Sequence, residues 1–193
     1  DFLFSPSVKT MYPDRFATSV SVDRLSGQLC GKFRPGHFKG VATVCAKLFN
    51  LVDPDTVYFG QKDYQQTRVI KRTLEDLGFG VQLKVLPTVR EKDGLAMSSR
   101  NYFLSPEERK RATSLSEALS VGEEAILKGE RRSGRVLSKM RKCLHRRGIR
   151  VEYVHVTDPE TLEDVSRIRG KVLLAVAAWV GRTRLIDNCL VRV

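Results

Sequence analysis

The sequence predicts an α/β fold that begins on a parallel sheet and ends in a smaller α+β layer built around an antiparallel sheet. Three observations carry this. Val57-Tyr58-Phe59 runs into Gly60, then into an amphipathic helix bearing Val69, Ile70, Leu74 and Leu77, then past Gly78 into a second apolar run over 81–86. That is a β-turn-α-β unit, whose strands are expected to be parallel with a right-handed crossover. Further on, residues 105–148 read as helices and 151–191 as strands, a block order that suits an α+β layer. Finally, 172–180 and 184–191 face each other across Gly181-Arg182-Thr183 as a hairpin.

Taken in order, Asp1-Phe2-Leu3-Phe4-Ser5 reads as a parallel strand ended by Pro6, and Tyr12-Pro13-Asp14 as a turn. Residues 16–22 alternate as a short strand, and 25–29 fit a helical turn. In Phe33-Arg34-Pro35-Gly36-His37-Phe38-Lys39-Gly40 a fixed bend brings Arg34 and His37 beside a helix start. That helix carries Val41, Val44, Cys45, Leu48, Phe49 and Val52 as one stripe and stops at Asp53-Pro54. After the central unit the chain leaves the sheet over 86–90, and a boundary near Thr88 divides it into 1–88 and 89–193. Ser105-Pro106-Glu107-Glu108 is a capping box with proline at the first helical position, predicting one helix to about Leu127 with Gly129 beyond it. A basic helix to about His145 follows, ended by Gly148. Residues 151–156 alternate as a strand, and Asp158-Pro159-Glu160 is expected to cap a short helix through Val165.

At 193 residues there is ample material for a core, and no apolar run approaches the ~18 residues of a membrane span. The start has no basic head and is not read as a signal peptide. It lacks methionine and begins in what reads as the middle of a strand, so a longer natural chain is expected. The four cysteines are scattered, without a Cys-x-x-Cys pair, which suits a reducing cytosol rather than a disulfide framework or a structural zinc site. Cys45, on the apolar helix stripe, is read as a small core residue. His145 and His155 lack metal-site spacing and are read as structural, and no metal ligands are assigned. The net charge of +12 is partly local: nine Lys or Arg and no acid lie between Arg131 and Arg150. Such a run serves either as a nucleic-acid surface or as a solvated helix face. No aromatics are interleaved to stack bases, so the solvated face is expected.

The chemistry is expected elsewhere. In parallel sheets ligands bind beyond the carboxyl ends of strands, beside helix N-termini whose free N–H groups attract anions. Gly60 through Gln66 lie at that spot and supply a lysine, an aspartate and three glutamines. Ser98-Ser99-Arg100 adds two hydroxyls and a guanidinium, a combination suited to phosphate oxygens. The wording of these stretches is more specific than their chemistry. Gly-x-Lys-Asp-x-Gln-Gln (60–66), Arg-Pro-Gly-His-Phe-x-Gly (34–40) and Asp-Gly-Leu-Ala-Met-Ser-Ser-Arg-Asn (93–101) resemble the pantoate–β-alanine ligase family. Ala-Ala-Trp-x-Gly (177–181) and Arg-Leu-Ile-Asp-Asn (184–188) extend the resemblance through the chain.

The resemblance implies a Rossmann-like, nucleotidyl-transferase-type domain, incomplete at its N-terminus, over 1–88, and an α+β lid domain over 89–193. It implies ATP-dependent condensation of pantoate with β-alanine through a pantoyl adenylate, releasing AMP and pyrophosphate, with Mg2+ accompanying the nucleotide. Lys62, Arg100, Ser98 and Ser99 would be catalytic. Gly60, Gln61, Lys62, Asp63, Val89, Met97, Ser98, Ser99 and Arg100 would bind ATP, with Asp63 accepting from ribose hydroxyls, and Gln66 would bind pantoate. A cytoplasmic homodimer with small-molecule substrates, and with neither nucleic acid nor membrane as partner, is also implied. One departure stands out. The family's His-x-Gly-His stretch and its first pantoate-binding glutamine should precede Asp1, and His37, His145 and His155 do not form that pattern. These residues alone are therefore expected to be inactive. Two other readings remain open: an acyl-adenylate-forming ligase for another acid, and a basic nucleic-acid-binding module.

Overall fold

The computed structural model describes residues 1–193, except the side chain at position 146. Its first regular elements are a one-turn helix, α1 (Val8–Met11), and two 3-10 turns, Leu25–Gly27 and Leu29–Lys32. Residues 1–6 form no strand, contrary to expectation, and Phe2, Leu3 and Phe4 are exposed. Residues 16–22 form none either. Strand-forming side chains make a strand only where a neighbouring backbone completes the ladder. Here Val20 N instead donates to Thr43 Oγ1 at 2.9 Å, on the following helix.

That helix, α2 (His37–Val52), ends at Asp53 in the left-handed region (φ 48°), where the chain turns into β1 (Thr56–Gly60). α3 (Tyr64–Asp76) and β2 (Gln82–Leu86) complete the β-turn-α-β unit, with β1 and β2 paired in parallel from Thr56↔Gln82 to Gly60↔Leu86. Val57, Phe59 and Leu83 face the buried Phe49, Ile70 and Leu74 of α2 and α3, whereas Tyr58 on the opposite face is exposed.

The expected long helix from the capping box is two, α4 (Pro106–Ala112) and α5 (Ser114–Leu127). Both arms of the box form: Glu108 N donates to Ser105 Oγ and Ser105 N to the Glu108 carboxylate. The break at 113 coincides with three hydroxyls that donate to nearby carbonyls: Thr113 to Lys110 O, Ser114 to Arg111 O and Ser116 to Thr113 O. Hydroxyls bonded in this way compete with the helical ladder and bend it. The basic helix is α6 (Ser133–Arg146), with Gly148 beyond it at φ 62°.

β3 (Arg150–Thr157), β4 (Lys171–Val180) and β5 (Thr183–Arg192) form an antiparallel sheet in that order. No helix forms over 158–165. Asp158 Oδ1 caps the amides of Glu160 and Thr161 as expected, but Leu162 takes φ 61° and Asp164 bridges back to Thr157. A positive φ at a leucine ends any helical run.

β4 is the centre of the molecule and is buried on both faces. Val172, Leu174, Val176, Ala178 and Val180 pack towards α5 and α6. Leu173, Ala175 and Ala177 alternate to the other side, against Leu29, Cys30, Phe38, Tyr64 and Val69. A period of two is what sends successive side chains to opposite faces. Gly122 permits the close packing on the first face, since a Cβ there would lie 2.8 Å from Met140 Sδ. On the second face the alanines leave room, and a cavity lies there.

Candidate active site

The cavity, about 220 Å³, opens between the carboxyl end of β1 and the antiparallel sheet. Three remote stretches meet on it: Arg34 and His37, Lys62 to Gln66, and Ser98 with Arg100. Leu173 and Ala175 of β4, Tyr153 of β3 and Arg184 to Asn188 of β5 close the other side.

Local geometry explains each stretch. His37 N donates to Arg34 O at 3.1 Å, and Gly36 has φ 76° and ψ −10°. With Pro35 before it, this is a type II turn, whose third position needs a positive φ. The turn sets Arg34 Nη1 3.1 Å from His37 Nε2. A guanidinium only donates, so Nε2 accepts and the imidazole is neutral with its proton on Nδ1. Burial lowers the His37 pKa and the Arg34 charge adds to this; Asp63 opposes them, while Arg184 and Arg100 reinforce the lowering.

Beyond Gly60 the chain makes a 3-10 turn, Gln61–Asp63, before α3. Asn188 secures it from β5: its Nδ2 donates to the carbonyls of Gln61 (3.0 Å) and Lys62 (2.8 Å). Both amide hydrogens are used, which fixes the orientation of the group. Asp187, next to it, receives two hydrogen bonds from Arg90 (2.7 and 3.0 Å), joining the 89–97 hairpin to the same strand. Tyr64 Oη donates to Pro159 O at 3.1 Å, and Arg68 is ion-paired with Glu160, so α3 is also tied to the turn after β3.

The paired glutamines separate in role. Gln65 is buried; it accepts from Cys30 N (3.0 Å) and donates to Leu25 O and Gln28 O (2.7 Å each). It holds the loop over 25–30 against α3, where Gly31 is needed because a Cβ would fall 1.7 Å from Ser26 O. Gln66 is half-buried and lines the cavity, and no protein partner holds its amide among the described residues. Gln65→Ala should therefore destabilise the fold by about 3 kcal/mol, since one buried donor and two acceptors lose a partner. A shifted urea midpoint checks this, and an unchanged midpoint would show that the loop does not depend on Gln65.

On the third stretch, Ser98 Oγ accepts from Arg100 N at 3.2 Å, and Asn101 Nδ2 anchors the turn to Glu91 (2.6 Å) and Ala96 O (3.1 Å). Arg100 Nη1 donates to Arg184 O at 3.3 Å. Arg184, only 9% exposed, is paired with Glu152, which also accepts from Trp179 Nε1 at 3.1 Å. Glu152 reaches them because it is the extra residue of a bulge between Val151 and Tyr153, and bulges re-aim side chains.

Of the residues singled out from sequence, Lys62, Asp63, Gln66, Ser98 and Arg100 line the cavity. Gly60, Gln61, Val89, Met97 and Ser99 do not. Val89 and Met97 are exposed, and the space beside the Gly60 Cα is open, with nothing within 4 Å of an added Cβ. Sequence reasoning gave no role to Asn188, Arg184, Tyr153 or Cys30, and counted Gln65 only as part of the polar stretch 60–66. Asn188 and Arg184 lie within the stretch 184–188 that carried the resemblance, which was the one available signal. Among the described residues no group of three or more His, Cys, Asp or Glu could hold a metal ion. Neither Lys62, Arg34 nor Arg100 has a carboxylate partner there, so the cavity is electropositive and fitted for anions.

Fold and cavity define an α/β protein with an electropositive cavity beyond the end of a parallel strand, under an antiparallel sheet. The chain belongs to the pantoate–β-alanine ligase family, whose model matches residues 1–190. It is 52% identical to the pantothenate synthetase of Thermoanaerobacter sp. (strain X514), over 98% of this chain and 68% of that relative. It is likewise 52% identical to that of Moorella thermoacetica, over 100% of this chain and 69% of the relative. Among solved structures, the pantothenate synthetase of Thermus thermophilus superposes with a TM-score of 0.94 at 46% identity, covering 98% of this chain and 69% of that one. The fold is thus the nucleotidyl-transferase type. A Francisella tularensis pantoate–β-alanine ligase, complexed with β-γ ATP and β-alanine, matches with a TM-score of 0.69 at 30% identity over 94% of this chain and 61% of that one.

Proposed function

We propose that the cavity is the reaction site of a pantoate–β-alanine ligase. Pantoate's carboxylate attacks the α-phosphorus of ATP, pyrophosphate leaves, and the amine of β-alanine then displaces AMP from the pantoyl adenylate to give pantothenate. The observation that supports this most is the convergence of Arg34, Lys62 and Arg100, without carboxylate partners, on one cavity in a chain of this family. Two anions must be brought together and a phosphate stabilised as it becomes five-coordinate. Fixed positive groups in a partly closed site do both.

Lys62 and Arg100 are assigned to the phosphate, with Ser98 and Ser99 as hydroxyl donors. Gly60, Gln61 and Asp63 belong to the nucleotide, and Val89 and Met97 to its adenine side. Gln66, with a free amide one helical turn beyond Lys62, is assigned to pantoate. Mg2+ is proposed to arrive with the nucleotide: such an ion keeps waters and phosphate oxygens and needs few protein ligands. A division near Thr88, a homodimeric state and a cytoplasmic location complete the reading. No helix among the described residues is long and apolar enough to cross a membrane.

The test is AMP release from ATP that requires both pantoate and β-alanine. It is measured on the chain as it stands and joined to the upstream part of the Moorella thermoacetica relative. Turnover of ATP that ignores pantoate, or no pantoate binding and no AMP in either form, overturns the reading. Within it, Gln66→Ala should raise KM for pantoate about tenfold, the scale of one lost hydrogen bond, and spare that for ATP. The reverse pattern would move Gln66 to the nucleotide.

A further inference from the structure

A second, larger cleft of about 870 Å³ adjoins the cavity and shares Arg34, Arg100 and Arg184 with it. Arg182, at the tip of the β4–β5 hairpin, lines this cleft alone. Of its two acids, Glu152 is ion-paired with Arg184 and bonded to Trp179, whereas Glu108 accepts the amide of Ser105, keeps its charge and stands against the hairpin tip at Gly181. Arg34, Arg100 and Arg182, by contrast, have no carboxylate partner among the described residues. Arg34 spends one N–H on His37, and Arg100 one on Arg184 O. Of its aromatic groups, Trp179 lies under Arg150 at 5.0 Å and Phe33 is stacked on Tyr153 at 5.8 Å, while Phe103 is exposed and meets only the edge of Tyr102. The cleft therefore offers chiefly charge and guanidinium donors, with Phe103 as an apolar wall. Three unpaired cations outnumber the one unpaired acid, Glu108, so a further anion lowers their mutual repulsion.

We infer that this cleft receives the pyrophosphate, with Arg34 and Arg100 handing it over from the cavity and Arg182 as its outer ligand. This rests on the ligase reading. In the first step an oxygen of pantoate's carboxylate bonds to the α-phosphorus, and the bond from that phosphorus to the bridging oxygen breaks. Its electron pair leaves with pyrophosphate, and no proton need move. The product is a compact polyanion that must vacate the phosphate positions while the adenylate stays. A neighbouring space lined by the same arginines, plus one more further out, gives it a route that does not cross the adenylate. The three guanidiniums without an ion-pair partner suit a compact polyanion such as inorganic pyrophosphate.

Titration calorimetry with inorganic pyrophosphate tests this on the protein as it stands and on Arg182→Ala and Arg182→Lys, exposed turn variants whose folding far-UV circular dichroism verifies. Arg182→Ala should weaken pyrophosphate binding about tenfold, the scale of one charge-assisted contact, with Arg182→Lys falling between. A dissociation constant for Arg182→Ala within about twofold of the parent, or no pyrophosphate binding by the parent, overturns the site. Because heat of binding is read without turnover, failure of the ligase reading would show separately, as absence of pantoate-dependent AMP.

Discussion

Lys62→Ala is expected to slow pantoyl-adenylate formation at least ~100-fold, the order seen when one charge contact to a transition state is removed. The size follows from the surroundings. Lys62 lines the cavity without a carboxylate to neutralise it, and its own carbonyl is held by Asn188. Its backbone is thus fixed from a strand more than a hundred residues away, so the side chain always starts from the same place on the cavity wall. Rapid-mixing measurement of pyrophosphate release, in the form of the protein that turns over, separates this step from attack by β-alanine. The fall should appear in the rate at saturating ATP more than in KM. Near-normal adenylation by the variant would remove Lys62 from the phosphate.

The same lysine shows what a local reading can and cannot reach. The β1-α3-β2 unit, the 34–37 turn and the capping box at Ser105 are set by residues within a few positions of each other, and their patterns are visible in order. The strands expected at 1–5 and 16–22 failed for a different reason: ladder partners are a property of the fold, not of the segment. Gln65 and Gln66 are chemically identical neighbours that both line the cavity, yet the amide of the first is tied to the 25–30 loop and that of the second has no protein partner among the described residues. Nothing local distinguishes them, because the deciding groups, Cys30 N and Leu25 O, lie on a separate loop. Asn188, Arg184 and Glu152 were hidden similarly. Their partners come from other elements, and for Glu152 the direction depends on a bulge that the apolar alternation of 151–156 does not announce.

The Glu152–Arg184 pair carries the second large effect. Both side chains are nearly closed off, at 10% and 9% exposure, and Arg184 also backs the cavity through its carbonyl's bond from Arg100. Glu152→Ala should cost about 3–5 kcal/mol, the usual result of leaving one charge of a buried pair without its partner. Adding Arg184→Met to that variant should recover part of the loss, because it removes the stranded charge. Burial alone would raise the Glu152 pKa. The hydrogen bonds from Arg184 and Trp179, with the charges of Arg184 and Arg150, outweigh it and hold the carboxyl below its ordinary value. A carboxyl lowered by folding stabilises the native state above its unfolded pKa of about 4.3, and the benefit fades as pH falls through the folded value. The stability gap between the parent and Glu152→Gln should therefore be constant above about pH 5 and narrow below about pH 4. Denaturant midpoints across that range decide the matter: a gap that stays level into acid would mean that the pair's ionisation contributes nothing, and that Glu152 acts through packing alone.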